Sequence, residues 1–456
     1  MMIRTRIAPS PTGEDLHIGN LHTALINWVY AKKHKGEFVV RIEDTDRSRL
    51  VAGAEEKILN TLSAYGLKWD QKPYRQSERL ELYRKYAEQL IEDRAAYRCY
   101  CTKERLDEMR KKQIAEKRLP KYDKHCKKIK NQKSKIKNDK NYVVRLDVPE
   151  NREIVFNDVI RGQIKFNSND IDDQVLIKSD GYPTYHLAVV VDDHDMEITH
   201  VIRGEDWISS TPKHVLLYEA FGWPLPVYVH TPLLRNPDRS KLSKRKNPVW
   251  ASWYLEQGYL PEAVLNYLAL MGWSHPDEKE IFTLEELVEV FDICDMQAVG
   301  PVFDITKLEW MNGVYIRNLE LADLSNKLKN FLGDKYSSSV VEKTISLVQE
   351  RIKKLSDYLP LCEFFFEKPR KYEADLSGQT ELLRKIHEEL SDIKDWKADV
   401  IGDKMPHLAE KEGVKNREFF IALRVAVTGK KVSPPLNESM EILGREECLD
   451  RLKSLL

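Results

Sequence analysis

The chain has 456 residues, with 42% hydrophobic side chains and 73 Lys or Arg balanced by 73 Asp or Glu. At roughly 100–200 residues per domain this predicts about three domains, and the balanced charge means that any nucleic-acid surface must come from a local patch. No apolar run approaches the ~18 residues of a membrane span. The start, MMIRTRIAPS, lacks the head and apolar centre of a secretory signal, so we expect a cytoplasmic protein with no membrane partner.

Ile3, Thr5 and Ile7 alternate as on a short strand, Pro9 and Pro11 interrupt it, and Gly13 and Gly19 flank a turn carrying His17. Leu21, Ala24, Leu25, Trp28 and Val29 then follow helical spacing. Phe38 to Ile42 reads as a buried second strand ending at Glu43, Asp44 and Asp46. This is a βαβ unit, whose ligands sit at the carboxyl ends of the strands. The helix start, with His17 and the amides near Gly19 and Asn20, is placed to meet an anion.

Helices are predicted over 54–65 and 77–94, after which the composition changes. Residues 98–140 hold 17 Lys or Arg against 6 Asp or Glu, and either a solvated face or a polyanion surface fits such a run. Period-two stretches at 143–148, 154–159 and 163–166 predict a small antiparallel sheet. We therefore take 98–174 as an insertion between two halves of a parallel sheet. That sheet is expected to resume with strands at 175–177 and 187–191, the second followed by Asp192 and Asp193, and then at 227–230. A helix is expected from Pro212. A polar, basic loop spans 235–248, and helical signals dominate from Trp250 onward. Pro261 starts one helix, and Ile345, Val348, Ile352, Leu355 and Leu359 keep a four-and-three spacing.

The HIGN stretch at 17–20 and the KLSKR stretch at 241–245 resemble the paired HIGH and KMSKS signatures of class I aminoacyl-tRNA synthetases. With RIAPSPTG at 6–13, RIEDTD at 41–46, SDGYPTYHLA at 179–188 and GPVFD at 300–304, the whole chain resembles the bacterial-type glutamyl-tRNA synthetases. The resemblance implies an α/β fold in which a Rossmann-type catalytic domain, residues 1–97 and 175–235, is split by an α+β acceptor-binding insertion at 98–174. The KLSKR loop and a helical stem-contact region at 236–312 would follow, then an all-α anticodon-binding region at 313–456. It further implies ATP with Mg2+, L-glutamate and tRNA(Glu) as partners, a monomer, and glutamate activation that needs bound tRNA. Charging of tRNA(Gln) as well is left open. Glutaminyl-tRNA synthetase, which has a β-barrel anticodon part, is the nearest rival.

The chemistry fits these residues. A carboxylate attacking the α-phosphorus of ATP needs positioning and charge stabilisation, and no covalent nucleophile. His17 would donate to phosphate, Gly19 would let the base approach the backbone, and Lys241 and Lys244 would supply mobile positive charge. A side-chain carboxylate calls for Arg, with Arg6 and Arg203 as candidates. By resemblance, Glu43 holds the α-amine and Tyr185 adds a hydroxyl. Ser10, Asn20, Asp206, Trp207 and Leu234 match positions lining the ATP or substrate site. Arg351 matches a position reading the last anticodon base.

Cys99, Cys101, Tyr122 and Cys126 could complete a tetrahedral zinc shell, with His125 as the alternative fourth ligand. Lys124 stands where relatives usually carry Gly, and Val189 where some carry Asn. Cys294, Cys362 and Cys448 are expected to be lone buried thiols.

Overall fold

The computed structural model describes residues 2–118, 120–128, 142–242 and 248–456. The chain forms two compact units, one comprising Met1–Trp253 and Leu265–Asp304, the other Tyr254–Val264 and Ile305–Leu456.

In the first unit, β1 (Arg4–Ile7), α1 (Ile18–Lys33) and β2 (Glu37–Ile42) make the expected βαβ unit, with Arg6 level with Val39 in a parallel pair. After α2 (Ala54–Ala64), the short β3 (Tyr74–Arg75) adds in parallel to β2. β2 is buried on both faces, as strands of a covered parallel sheet are. Next come α3 (Leu80–Glu92), β4 (Ala96–Cys99), α4 (Lys103–Ala115), the single turn α5 (His125–Lys128), β5 (Val143–Leu146), β6 (Glu153–Asp158), β7 (Gly162–Asn167) and β8 (Val175–Ile177). After α6 (Tyr185–Asp195), two parallel strands, β9 (His200–Gly204) and β10 (Val227–Thr231), flank α7 (Thr211–Phe221), and α8 (Ala251–Glu256), α9 (Pro261–Ala269) and α10 (Leu284–Val290) follow.

β9 runs beside β1, the two joined by Thr199 N–H donating to the Arg4 carbonyl at 3.0 Å. Reading across the sheet gives β3, β2, β1, β9, β10, β6 and β7. Chain order reverses between β1 and β9, and a doubly wound sheet opens its ligand crevice at such a switch point.

Three expected strands are placed differently. Residues 187–191 form part of α6, not a strand, and Leu187 to Asp193 are all buried. A helix enclosed on every side loses its polar stripe, so a short apolar run cannot be told from a buried strand by period. β8 pairs antiparallel with β5, which pairs with β4, so 175–177 closes the insertion's sheet and does not resume the parallel one. The 154–159 stretch instead joins the main sheet, β6 lying parallel to β10 and forming a hairpin with β7.

The second unit holds no strand among its described residues. Its helices are α11 (Ile305–Asn318), α12 (Leu321–Leu332), α13 (Ser338–Val348), α14 (Tyr358–Cys362), α15 (Thr380–Ser391), α16 (Ala398–Lys411), α17 (Asn416–Thr428), α18 (Leu436–Leu443) and α19 (Arg445–Lys453). The spacing from Ile345 to Leu359 spans two of them. α13 stops at Val348, and Asp357 accepts from the amides of Lys353 and Lys354 before α14 begins. Ile345, Val348, Ile352 and Leu355 nevertheless share one core with Leu324, Leu328 and Tyr358. Cys362 and Cys448, in this unit, are buried as expected, whereas Cys294, in the short turn Ile293–Asp295 of the first unit, is exposed and is not the buried thiol expected.

Between α1 and β2 the chain passes so close to β1 that a Cβ on Gly36 would lie 2.1 Å from the Ile3 carbonyl oxygen. Gly36→Ala is therefore expected to cost ~1–3 kcal/mol through forced separation of the two strands. Denaturant unfolding of the two proteins measures it, the variant's midpoint falling below that of the parent chain.

Candidate active site

A cavity of about 270 Å³ opens at the carboxyl ends of β1, β9 and β10. Arg6, His17, Gly19, Asn20, Glu43, Tyr185, Arg203, Asp206, Trp207, Leu234 and Lys241 all line it. Ser10 is not on its wall: the exposed hydroxyl donates to the Glu43 carbonyl at 2.8 Å, bracing the strand end. Lys244 lies outside the described residues.

His17 caps α1 in an extended conformation, its Nδ1 accepting from Gly19 N–H at 3.0 Å. A neutral ring so engaged carries its proton on Nε2. Asn20 N–H donates to the His17 carbonyl at 2.8 Å, so these two amides are satisfied within the turn and not held out for an anion. The segment after the KLSKR loop leans on this turn, with Ile18 N–H donating to the Val249 carbonyl at 2.7 Å and Ala251 N–H to that of Leu16 at 2.8 Å. A Cβ on Gly13 would meet the Trp250 ring at 2.7 Å, so the close approach requires that glycine. At the loop's base Leu242 N–H donates to the Leu234 carbonyl at 3.1 Å, and Lys241 Nζ lies 2.8 Å from Asp206. Two loops more than 200 residues apart in sequence thus meet at one cavity.

The opposite wall is a buried charge network. Asp193 takes Arg6 through both oxygens, at 3.0 and 3.3 Å, and Arg41 at 2.6 Å. Burial alone would raise its pKa, but Arg6 and Arg41 hold it below the usual carboxylate range. Arg41 also reaches Glu43 at 3.3 Å. Burial pushes Glu43 up to about 7, against the pull of Arg41 and Arg6. Arg203 differs. Its partners are Tyr185 at 3.2 Å, His230 at 3.2 Å, His214 at 3.3 Å and Thr211 at 2.8 Å, and none is a carboxylate. Tyr185 also stacks on Trp207, the centroids 4.1 Å apart.

In the insertion, Cys99, Cys101 and Cys126 converge, their sulfurs within 4.8 Å of one another. Cys101 and Cys126 are 3.5 Å apart, and the Tyr122 hydroxyl lies 3.3 Å from Cys99 and 3.2 Å from Cys101. Tetrahedral zinc with ~2.3 Å Zn–S bonds sets sulfurs roughly 3.8 Å apart, so these donors fit that ion. The His125 ring is not in the cluster, whereas the Tyr122 hydroxyl touches two of its sulfurs. Lys124 has φ +55°, the left-handed conformation that favours Gly, and its ammonium lies 3.4 Å from both Asp147 and Asp173. The lysine thus accepts backbone strain while tying the knuckle to two acids.

In the second unit, Arg351 donates to the Ser433 carbonyl at 3.0 Å, beside Arg424, which donates to the Pro434 carbonyl at 3.1 Å. Arg424, Asp193, His214 and His230 were not singled out from the sequence. Asp193 was hidden by the strand reading of 187–191, although two acids closing an apolar run were a visible signal.

Residues 2–310 match the family described as tRNA synthetases class I (E and Q), catalytic domain, and residues 321–456 match the one described as anticodon binding domain. The chain belongs to the class I tRNA synthetases of the E and Q group. Among similar proteins, the glutamate–tRNA ligase of Acidothermus cellulolyticus is 45% identical, over 99% of this chain and 95% of that one. The glutamate–tRNA ligase of Finegoldia magna is 43% identical, over 100% and 99%. The crystal structure of a glutamate tRNA ligase from Elizabethkingia meningosepticum in complex with its amino acid superposes with a TM-score of 0.87, at 35% identity over 100% of this chain and 99% of that one. Lys241 and Leu242, at the start of the KLSKR stretch of this synthetase, and its HIGN turn therefore line one cavity in a fold shared along the whole chain.

Proposed function

We propose that this synthetase is a glutamate–tRNA ligase that activates L-glutamate with ATP and passes the glutamyl group to the terminal adenosine of tRNA(Glu). The observation that carries the amino-acid assignment is Arg203, a buried guanidinium at the cavity wall with no carboxylate partner among the described residues. Such a group selects a planar anion. Tyr185, which already accepts from Arg203, has its own O–H to donate to that anion. Arg6, half neutralised by Asp193, adds a second cation, and an ionised Glu43 takes the α-ammonium. Ser10 acts by holding the Glu43 strand end.

On the nucleotide side, His17 Nε2–H donates to the triphosphate, and Gly19 and Asn20 let the nucleotide lie against α1. Asp206, Trp207 and Leu234 bound it from β9 and β10. Lys241 exchanges Asp206 for the departing pyrophosphate, and Lys244 is assigned the same role. Mg2+ accompanies the triphosphate and shares in neutralising its charge. Holding reactants in line and stabilising phosphate charge is the whole of the catalytic demand.

The insertion, basic along 98–140, grips the acceptor end through phosphates. Zinc held by Cys99, Cys101, Tyr122 and Cys126 shapes its knuckle. Arg351, with Arg424, meets the anticodon, and these two decide whether tRNA(Gln) is also accepted. The strand-free second unit favours glutamate over the glutaminyl rival with its β-barrel. No helix among the described residues is long and apolar enough to cross a membrane.

Charging purified tRNA(Glu) and tRNA(Gln) with labelled amino acids tests the assignment. Glutamate should be attached to tRNA(Glu), and exclusive attachment of glutamine would overturn it. The Glu43 role predicts a pH dependence. Below its pKa of about 7 the carboxyl is neutral and cannot pair with the substrate ammonium, so kcat/KM for glutamate should rise as pH increases through neutrality. Glu43→Gln should flatten that rise as well as lower the whole curve. Metal analysis should find zinc near one equivalent per chain, and Cys101→Ser should lose most of it, with weaker tRNA binding and little change in glutamate KM.

A further inference from the structure

The surroundings of Arg203 fix more than its position. A guanidinium has five N–H donors and no acceptor, so each partner must present a lone pair. His214, on α7 and 2% exposed, does so through Nδ1 at 3.3 Å from Arg203. Its proton must then sit on Nε2, which donates to His186 Nδ1 at 3.1 Å. His230 likewise accepts from Arg203 on Nε2, and its Nδ1–H donates to Asp158 at 2.7 Å. Burial, and then Arg203 itself, hold His214 well below the usual histidine pKa, so the ring stays neutral.

The other cations described at the cavity each have a carboxylate partner within the protein: Arg6 has Asp193, which it shares with Arg41, and Lys241 has Asp206. Arg203 is held by imidazole, phenol and hydroxyl alone. His214 is the closest of these to being an acid, since an aspartate at that position would put an oxygen where Nδ1 now accepts.

We infer that His214 is a specificity-determining residue: by giving Arg203 a neutral acceptor, it leaves the guanidinium's charge to be met by the substrate, so that the pocket selects a side-chain carboxylate over the isosteric amide. The inference rests on Arg203 as the contact of the glutamate side chain. Glutamate brings acceptors only, matching the donors of Arg203 and Tyr185. Glutamine brings a carbonyl acceptor and an NH2 group with two N–H donors, and those donors find no lone pair on a guanidinium. A carboxylate at 214 would remove both grounds of selection, compensating the charge and offering an acceptor nearby.

Full-length enzyme with its tRNA, assayed by pyrophosphate exchange, gives the KM for glutamate and the inhibition constant of glutamine as competitor. The measurement compares His214→Asn with His214→Asp, two side chains of one shape that differ by a charge. The ratio of glutamine inhibition constant to glutamate KM should fall at least about tenfold in the Asp variant relative to the Asn variant, the scale of one charged hydrogen bond. Should the Asp variant not fold, His214→Gln and His214→Glu repeat the contrast on a longer arm. Arg203→Leu is the control for the underlying assignment. If it raises the glutamate KM while the acidic and neutral variants at 214 share one ratio, the inference on His214 is overturned and the role of Arg203 stands. If Arg203→Leu leaves the glutamate KM unchanged, the assignment of Arg203 falls, and the inference with it.

Discussion

The substrate-facing wall depends on one carboxylate enclosed in the core. Asp193 sits near the end of α6 and takes Arg6 from β1 and Arg41 from β2, so a helix and two parallel strands are fixed to each other by charge. Arg41 is fully buried and also lies near Asp192, which accepts from Tyr83, Gln76 and Arg79. Buried ion pairs of this sort are weak evidence for net stability, because desolvation offsets most of the Coulomb gain. Losing one partner is different. Without Asp193, Arg6 would remain in the core with no carboxylate partner and Arg41 would keep only its longer contacts to Glu43 and Asp192, a defect worth several kcal/mol. The network is thus better understood as fixing where Arg6 and Glu43 point than as a source of stability.

This accounts for what the sequence could and could not disclose. The βαβ start was legible because its three elements carry ordinary periods and the turn carries Pro, Gly and a capping His. The pairing of HIGN with KLSKR was legible from the motifs themselves, and the structure adds the contact of 249–251 with 16–18 that brings the loops together. The strand assignments after 143 failed where burial erased the pattern. Leu187 to Val191 is apolar on every side, since α6 is packed among α3, α7 and β8, and neither a period of 3.6 nor of 2 survives such enclosure. β6 and β8 were recognised as strands, but which sheet each joins depends on long-range pairing that local sequence does not encode.

Most residues proposed from the motifs line the cavity, Ser10 lying off its wall, whereas those that reach the cavity only through another residue were not proposed. Arg203 could be proposed from its type alone, because a carboxylate ligand calls for a guanidinium. His214 and His230 could not, since a histidine in an amphipathic helix or a strand carries no sign of facing an arginine. At the cysteine cluster the spacing left Tyr122 and His125 as rivals. The backbone favours Tyr122, since the left-handed turn at Lys124 brings Cys126 back to the Tyr122 hydroxyl, to which its amide donates at 3.0 Å.

The arginines divide into two kinds by the company they keep. Arg6, Arg41 and Arg79 are paired with aspartates, which meet part of their charge inside the fold. Arg203 is held by neutral side chains, while Arg351 and Arg424 are held largely by the main-chain carbonyls of Ser433 and Pro434. Burial and the nearby Arg351 both lower the pKa of Arg424, the signature of a cation kept without a counter-ion. A guanidinium on neutral acceptors is fixed in direction yet still attracts an anion, whereas one on a carboxylate is fixed and largely silent. The first arrangement costs stability that the second would recover. It occurs here at the wall of the cavity, through Arg203, and in the second unit, through Arg351 and Arg424, the residues to which the proposal assigns anionic ligands.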